Sequence, residues 1–245
     1  MNNRKAERQP LIAHLHELRR RLLWSSFFCL LGAVVAYVFH PSILAFLVKP
    51  LAKPLFYSSP AGAFDLVLRI CLFAGFLFAL PAFIYHLLKF LGPVLPATLQ
   101  QRIAWFLLGS CILMLTGISF AYFVSLPAAL YFLGEFGSAQ VQSLISTDAY
   151  FSFVTRYLLG FGILFQLPLV LLLINAVSPL HPRRLMSYQR YVIVASFVLA
   201  ALITPTPDPF NQTMLALPLI LLYQVSVLST WLINRRKQQP IAQTH

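Results

Sequence analysis

Six long runs of apolar side chains, nearly free of charge, leave this chain few ways to fold. They centre on Leu22 to Phe39, Ile70 to Leu88, Ile103 to Val124, Tyr150 to Val177, Tyr191 to Ile203 and Met214 to Ile233. A helix needs about 20 predominantly apolar residues to cross roughly 30 Å of hydrocarbon. The runs are apolar all round and lack the alternate-residue pattern of a membrane barrel, so helices are the structure that satisfies their backbone. Hydrophobic residues make up 59% of the chain, charged residues 10%, and the mean hydropathy is +0.79. One soluble core does not accommodate that much apolar surface. The expected fold is all-α, a polytopic integral membrane protein with six transmembrane helices.

The basic residues set the orientation. An even number of spans puts both termini on one side. Assigning that side to the cytoplasm collects Arg4, Lys5, Arg8, Arg19, Arg20, Arg21, Lys89, Arg102, Arg183, Arg184, Arg190, Arg235, Arg236 and Lys237 there. Lys49, Lys53, Arg69 and Arg156 fall outside or in the outer half. The pattern is positive-inside, so both termini are expected in the cytoplasm. The net charge of +12 therefore reads as topology and as attraction to anionic headgroups, rather than as a nucleic-acid surface.

The first run has a basic front like a secretory signal, but it is too long for a signal core, and His40-Pro41 follows where cleavage needs small residues. It is expected to remain as a span. Cys29, Cys71 and Cys111 all lie within runs, without metal-ligand spacing, and read as packed residues. The larger loops are the two outer ones, His40 to Phe64 and Leu126 to Thr147, expected to form an ordered cap. The division is a cytoplasmic tail over residues 1–21, a membrane domain over 22–234 and a second tail over 235–245.

Immediately before the first run, His14-Leu15-His16-Glu17-Leu18-Arg19-Arg20-Arg21 sets one carboxylate among cations. Acids number six in the whole chain, which makes Glu17 the residue to explain. This stretch, then Gly117 to Phe123, then Phe153 with Phe161-Gly162-Ile163-Leu164-Phe165-Gln166-Leu167-Pro168, and finally Thr204-Pro205-Thr206-Pro207-Asp208-Pro209-Phe210-Asn211-Gln212-Thr213, resemble the TatC family. That family supplies the core subunit of the twin-arginine protein translocase. The resemblance runs over nearly the whole chain, with four motifs in order. It implies a receptor for folded precursors whose signal peptides carry two adjacent arginines, working with small single-span TatB-like and TatA-like subunits in a bacterial inner membrane. The chain shows no phosphate-binding loop, so its energy is expected to come from outside it, and the resemblance implies the proton-motive force. Binding rather than catalysis is expected, with no cofactor and no metal.

Within the resemblance, signal binding is expected at His14, Glu17 and Arg19 and at Leu99, Gln100 and Gln101. A guanidinium ligand needs a carboxylate that accepts paired hydrogen bonds, and Glu17 sits where a signal peptide would arrive. On residues alone, a plain ion pair between Glu17 and Arg21, four apart on one helix, explains it equally well. Arg19 to Arg21 would themselves repel an arginine ligand and are expected to hold the helix end at anionic lipid. The family commonly carries a second glutamate six residues beyond the proline matching Pro93; here that position is Leu99. Gln100 and Gln101 beside it offer neutral acceptors, which bond arginine more weakly than a charged one.

Gln166 and Gln224 are two further neutral residues where the family usually has an acid. Each is read as a contact to a partner's span. For Gln166 the alternative is that its amide satisfies the carbonyl of Leu164, which Pro168 deprives of a helical partner. Span 5 is short, about 20 Å at 1.5 Å per residue, and is expected to thin the bilayer locally. Spans 5 and 6 are read as the partner-docking side, with Thr204 or Thr206 and Gln212 as polar contacts; which threonine matches the family stays open. Thr147-Asp148 reads as the N-cap of span 4, Asp65 and Arg69 as a pair, Arg156 as snorkelling outward, and His86 as packed. Two other classes, a secondary transporter and an intramembrane hydrolase, fit the sequence less well. A secondary transporter would show intramembrane acids or broken helices around a coupling-ion site. A hydrolase would need a nucleophile and base at membrane depth.

Overall fold

The computed structural model describes residues 11–51, 53–57, 59–92, 95–135, 144–203 and 209–238. Among these residues ten helices follow in chain order: α1 Leu11–Val48, α2 Gly62–Phe90, α3 Ala97–Gln100, α4 Ile103–Phe120, α5 Leu126–Glu135, α6 Thr147–Leu164, α7 Leu167–Val177, α8 Pro182–Ser187, α9 Gln189–Ile203 and α10 Pro209–Gln238. A π turn, Ala121–Ser125, joins α4 to α5 without breaking the rod. Two short strands, β1 Leu55–Phe56 and β2 Ile145–Ser146, pair in parallel and tie the outer loops together.

Among the described residues five helical stretches are long and apolar enough to cross a membrane: His16–Val48, Gly62–Phe90, Ile103–Gly134, Thr147–Val177 and Gln212–Arg235. The sixth crossing is α9, whose 15 residues reach about 22 Å. Six crossings put the start of α1 and the end of α10 on one face, the one the basic residues assign to the cytoplasm, here the inner face.

The helices overrun the apolar runs. α1 begins at Leu11, so Glu17 and its basic neighbours belong to the first spanning helix rather than to a tail before it. At its other end α1 continues through Pro41, because the carbonyl that proline leaves without a helical partner finds another donor. That carbonyl is Tyr37 O, and His40 Nδ1 donates to it at 2.6 Å. The second outer loop is likewise shorter than its sequence suggests, since α5 carries on to Glu135.

Without a hydrophobic drive between helices in lipid, packing and hydrogen bonds hold the bundle. α1 and α2 form an antiparallel hairpin that meets at Gly75, where a Cβ would stand 2.5 Å from the Cys29 carbonyl oxygen. α6 is the central helix. Phe151, Val154, Tyr157 and Phe161 are fully buried on it, and Phe153, Tyr157, Phe161 and Phe165 form a chain of ring contacts along its axis. Two phenols satisfy carbonyls at the C-terminal end of α1, groups that a helix end leaves without partners. Tyr122 Oη donates to Phe46 O at 2.6 Å and Tyr150 Oη to Leu47 O at 2.7 Å.

Thr147 and Asp148 do not cap α6. The N-cap residue is Ser146, with no side-chain capping bond, and Thr147 Oγ1 donates instead to Phe56 O at 3.0 Å. Asp148 turns to Arg69 at 3.6 Å, beside the expected Arg69–Asp65 pair at 3.0 Å and a bond from Arg69 to Ser152. One guanidinium thus fastens α2 to the start of α6 at the outer face.

Candidate functional site

Glu17 is one turn before Arg21 on α1, and the guanidinium reaches back to it. Arg21 Nε donates to Glu17 Oε1 at 3.0 Å, and Nη2 donates to the same oxygen. The pair is partly open, with the carboxylate 25% and the guanidinium 18% exposed. Arg19 and Arg20 point into solvent or headgroups. The hairpin register fixes the height of this pair. Fifteen residues back from Gly32 and fifteen on from Gly75, which face one another, Glu17 comes level with Phe90, where α2 ends and the inner loop begins. The backbone of His14 is helical; its side chain lies outside the described ones.

The loop after α2 is ordered from within. Gln100 Nε2 donates to Gly92 O at 2.7 Å and to Leu95 O at 3.1 Å, which leaves the carbonyl oxygen as the end of the side chain offered to a ligand. Gln101 is exposed, and Leu99 is half-buried with its N–H bonded to Pro96 O at 2.9 Å. Among the described residues the rim at the inner face therefore presents one carboxylate and a pair of neutral amides.

Gln166 stands at a break in span 4, between α6 and α7, with Pro168 in the first turn of α7. Its amide does not serve Leu164. Ser110 Oγ donates to Gln166 Oε1 at 2.9 Å, while Gln166 Nε2 donates to Ser110 O at 3.2 Å and Gly162 O at 3.5 Å. Both polar ends are thus used inside the chain, joining α4 to the break. Gln166 also borders an apolar cavity of about 260 Å³ walled by Leu80, Phe83, Phe106 and Leu169. Gln212 and Gln224 are half-buried on α10, and beside Gln224 the Tyr223 hydroxyl donates to Leu185 O at 2.7 Å. Thr204 and Thr206 lie outside the described residues.

A polar clamp at the inner face is not among the residues that the sequence singles out. Asn175 and Asn234 exchange amide bonds at 3.1 and 3.2 Å. Leu180 N–H donates to Asn175 Oδ1 at 2.8 Å, and Asn234 Nδ2 to Leu180 O at 3.0 Å. Two single asparagines at the ends of apolar runs were the available signal. Among the described residues no three His, Cys, Asp or Glu side chains gather to hold a metal.

Fold and rim together define a multi-pass helical membrane protein whose distinctive polar groups sit at its inner edge and at one helix break. The family model for the Sec-independent protein translocase protein (TatC) matches residues 13–218. The TatC of Aquifex aeolicus is 35% identical over 237 residues, covering 94% of this chain and 98% of that protein. The TatC of Magnetococcus marinus is 34% identical, covering 98% and 90%. A crystal structure of the twin arginine translocase receptor TatC superposes with a TM-score of 0.79 at 35% identity, covering 90% of this chain and 99% of that one. The chain belongs to the TatC family. It is a multi-pass subunit of the Tat protein translocase, a transport component rather than a classical enzyme.

Proposed function

We propose that this chain is the receptor subunit of its translocase. It binds the twin-arginine signal peptides of folded precursors at the cytoplasmic face of a bacterial inner membrane. It then assembles with TatB-like and TatA-like single-span subunits, and the proton-motive force drives export. The observation that carries this reading is the Glu17–Arg21 contact. The carboxylate already accepts two N–H groups from a guanidinium at the rim, so an incoming arginine exchanges with one of the same chemistry and strands no charge. Arg21 released in this way joins Arg19 and Arg20 among anionic headgroups. His14 and Arg19 flank the contact, and Gln100 and Gln101 supply neutral acceptors where Leu99 supplies none. Gln212 and Gln224, with Thr204 or Thr206, make up the surface for partner spans; Gln166 belongs to it only by giving up its bonds to Ser110.

The test is binding of a labelled twin-arginine peptide to the purified protein in nanodiscs. A hydrogen bond to a charged group is worth about 1.5–3 kcal/mol, so Glu17→Gln lowers affinity by about ten- to hundredfold. A twin-lysine peptide binds as weakly to the parent protein, because an ammonium lacks the paired donors. Equal binding of the two peptides, unchanged by Glu17→Gln, would sink the proposal.

A further inference from the structure

Glu17, Arg21, Trp24 and Phe28 recur at helical spacing along one face of α1. Trp24 and Phe28 wall a cavity of about 510 Å³ together with Pro81, Ala82 and His86 of α2 and Leu107 of α4. Three elements distant in sequence converge there, and nearly all of the lining is hydrocarbon. Besides the Tyr85 hydroxyl and the Trp24 indole N–H, its polar atoms include His86 Nδ1, which is buried without a hydrogen-bond partner among the described residues. It lies four residues from the end of α2, about 6 Å along the axis. Above it, toward the rim, Lys89 Nζ stands 5.9 Å from the centre of the Tyr85 ring. Arg102 is exposed at the N-cap of α4. Arg21 is held by Glu17, so Lys89 and Arg102 supply the net positive charge.

From the inner face downward the order is cations, a buried unpartnered polar atom, then an apolar cavity. We propose that this is a binding site for one anionic glycerophospholipid. Its phosphate meets Lys89 and Arg102, an ester carbonyl accepts from His86 Nδ1–H, and an acyl chain fills the space between Trp24, Phe28 and Leu107. A free phosphate would leave the cavity unfilled and His86 unsatisfied, at a cost that buried polar groups rarely bear. A zwitterionic lipid would bring its own cation against Lys89 and Arg102. The occupied site would lock the inner end of the α1–α2 hairpin against α4, beside Glu17.

Trp24 reports on the site directly. The full-length protein carrying Trp105→Phe and Trp231→Phe keeps it as the one indole, and nanodiscs are prepared with brominated phosphatidylglycerol or brominated phosphatidylcholine at matched mole fractions. Phosphatidylglycerol is expected to quench Trp24 at the lower mole fraction, the preference amounting to about fivefold for each cation engaged. Lys89→Gln, a surface change that spares the fold, shrinks the preference by one such step. Ala82→Phe fills the cavity and abolishes it, with thermal unfolding recorded alongside. Equal quenching by the two lipids overturns the proposal, as does a preference that survives both substitutions. Quenching that is the same for both lipids and relieved by a twin-arginine peptide would give the cavity to the peptide and overturn it as well.

Discussion

The polar residues of this chain divide into those that hold it together and those that face outward, and single side chains decide which is which. Glu17 does both, pairing with Arg21 yet remaining a quarter exposed. With Leu99 where a second acid would stand, the described residues of the rim offer no charged substitute, so Glu17→Ala is expected to abolish export of a twin-arginine reporter while the protein still accumulates in the membrane. Export retained in that mutant would mean that recognition lies elsewhere. Gln166 is the opposite case, since its reciprocal bonds to Ser110 give it structural work already. Polar pairs between spans contribute about 0.6–1.7 kcal/mol, so Gln166→Leu lowers the thermal midpoint in detergent, and the added Ser110→Ala restores part of the loss by removing the stranded hydroxyl. If Gln166 served the partner's span instead, stability would hold and co-purification of the partner would fall.

At the scale of elements, close backbone approach fixes the α1–α2 hairpin. A methyl at Gly75 would stand 2.5 Å from Cys29 O and 2.6 Å from Ala33 N, both backbone atoms, whereas at Gly109 the nearest atom is Leu169 Cδ2 at 3.9 Å. Gly75→Ala must therefore part the helices, an overpacking cost of about 1–3 kcal/mol, while Gly109→Ala keeps or gains stability through helix propensity. Comparison of the two thermal midpoints checks this, and equal effects would mean that the crossing is loose. The six spans and the Glu17–Arg21 and Asp65–Arg69 pairs were legible in sequence because apolar runs and four-residue spacing are local signals. The continuation of α1 through Pro41, the Gln166–Ser110 bond and the pocket at His86 were not. The first turns on which way one side chain, His40, folds back along its own helix, the other two on a donor or wall supplied by tertiary geometry, and hydropathy carries no record of which carbonyl a side chain will reach.

The whole molecule is uneven across the membrane. Its outer half is fastened by the Tyr122 and Tyr150 bonds to α1, the β1–β2 pairing and the Arg69 network, while its inner half rests on the Asn175–Asn234 clamp and an ordered loop. Between them α9 spans about 22 Å beside α10 with 30 residues. A crossing that short meets water at both ends only if the bilayer thins to it, since ordinary hydrocarbon is roughly 30 Å thick. Single cysteines at Tyr191 and Leu202, in a protein freed of Cys29, Cys71 and Cys111, are expected to react with an impermeant maleimide from opposite faces. A cysteine at Leu221, within α10, is expected to stay protected. Labelling of Tyr191→Cys and of a cysteine added at either chain end from the same face would fix six crossings and cytoplasmic termini together. Protection of Leu202→Cys from both faces would leave α9 as a helix that enters without crossing, and α10 would then have to run in the opposite sense.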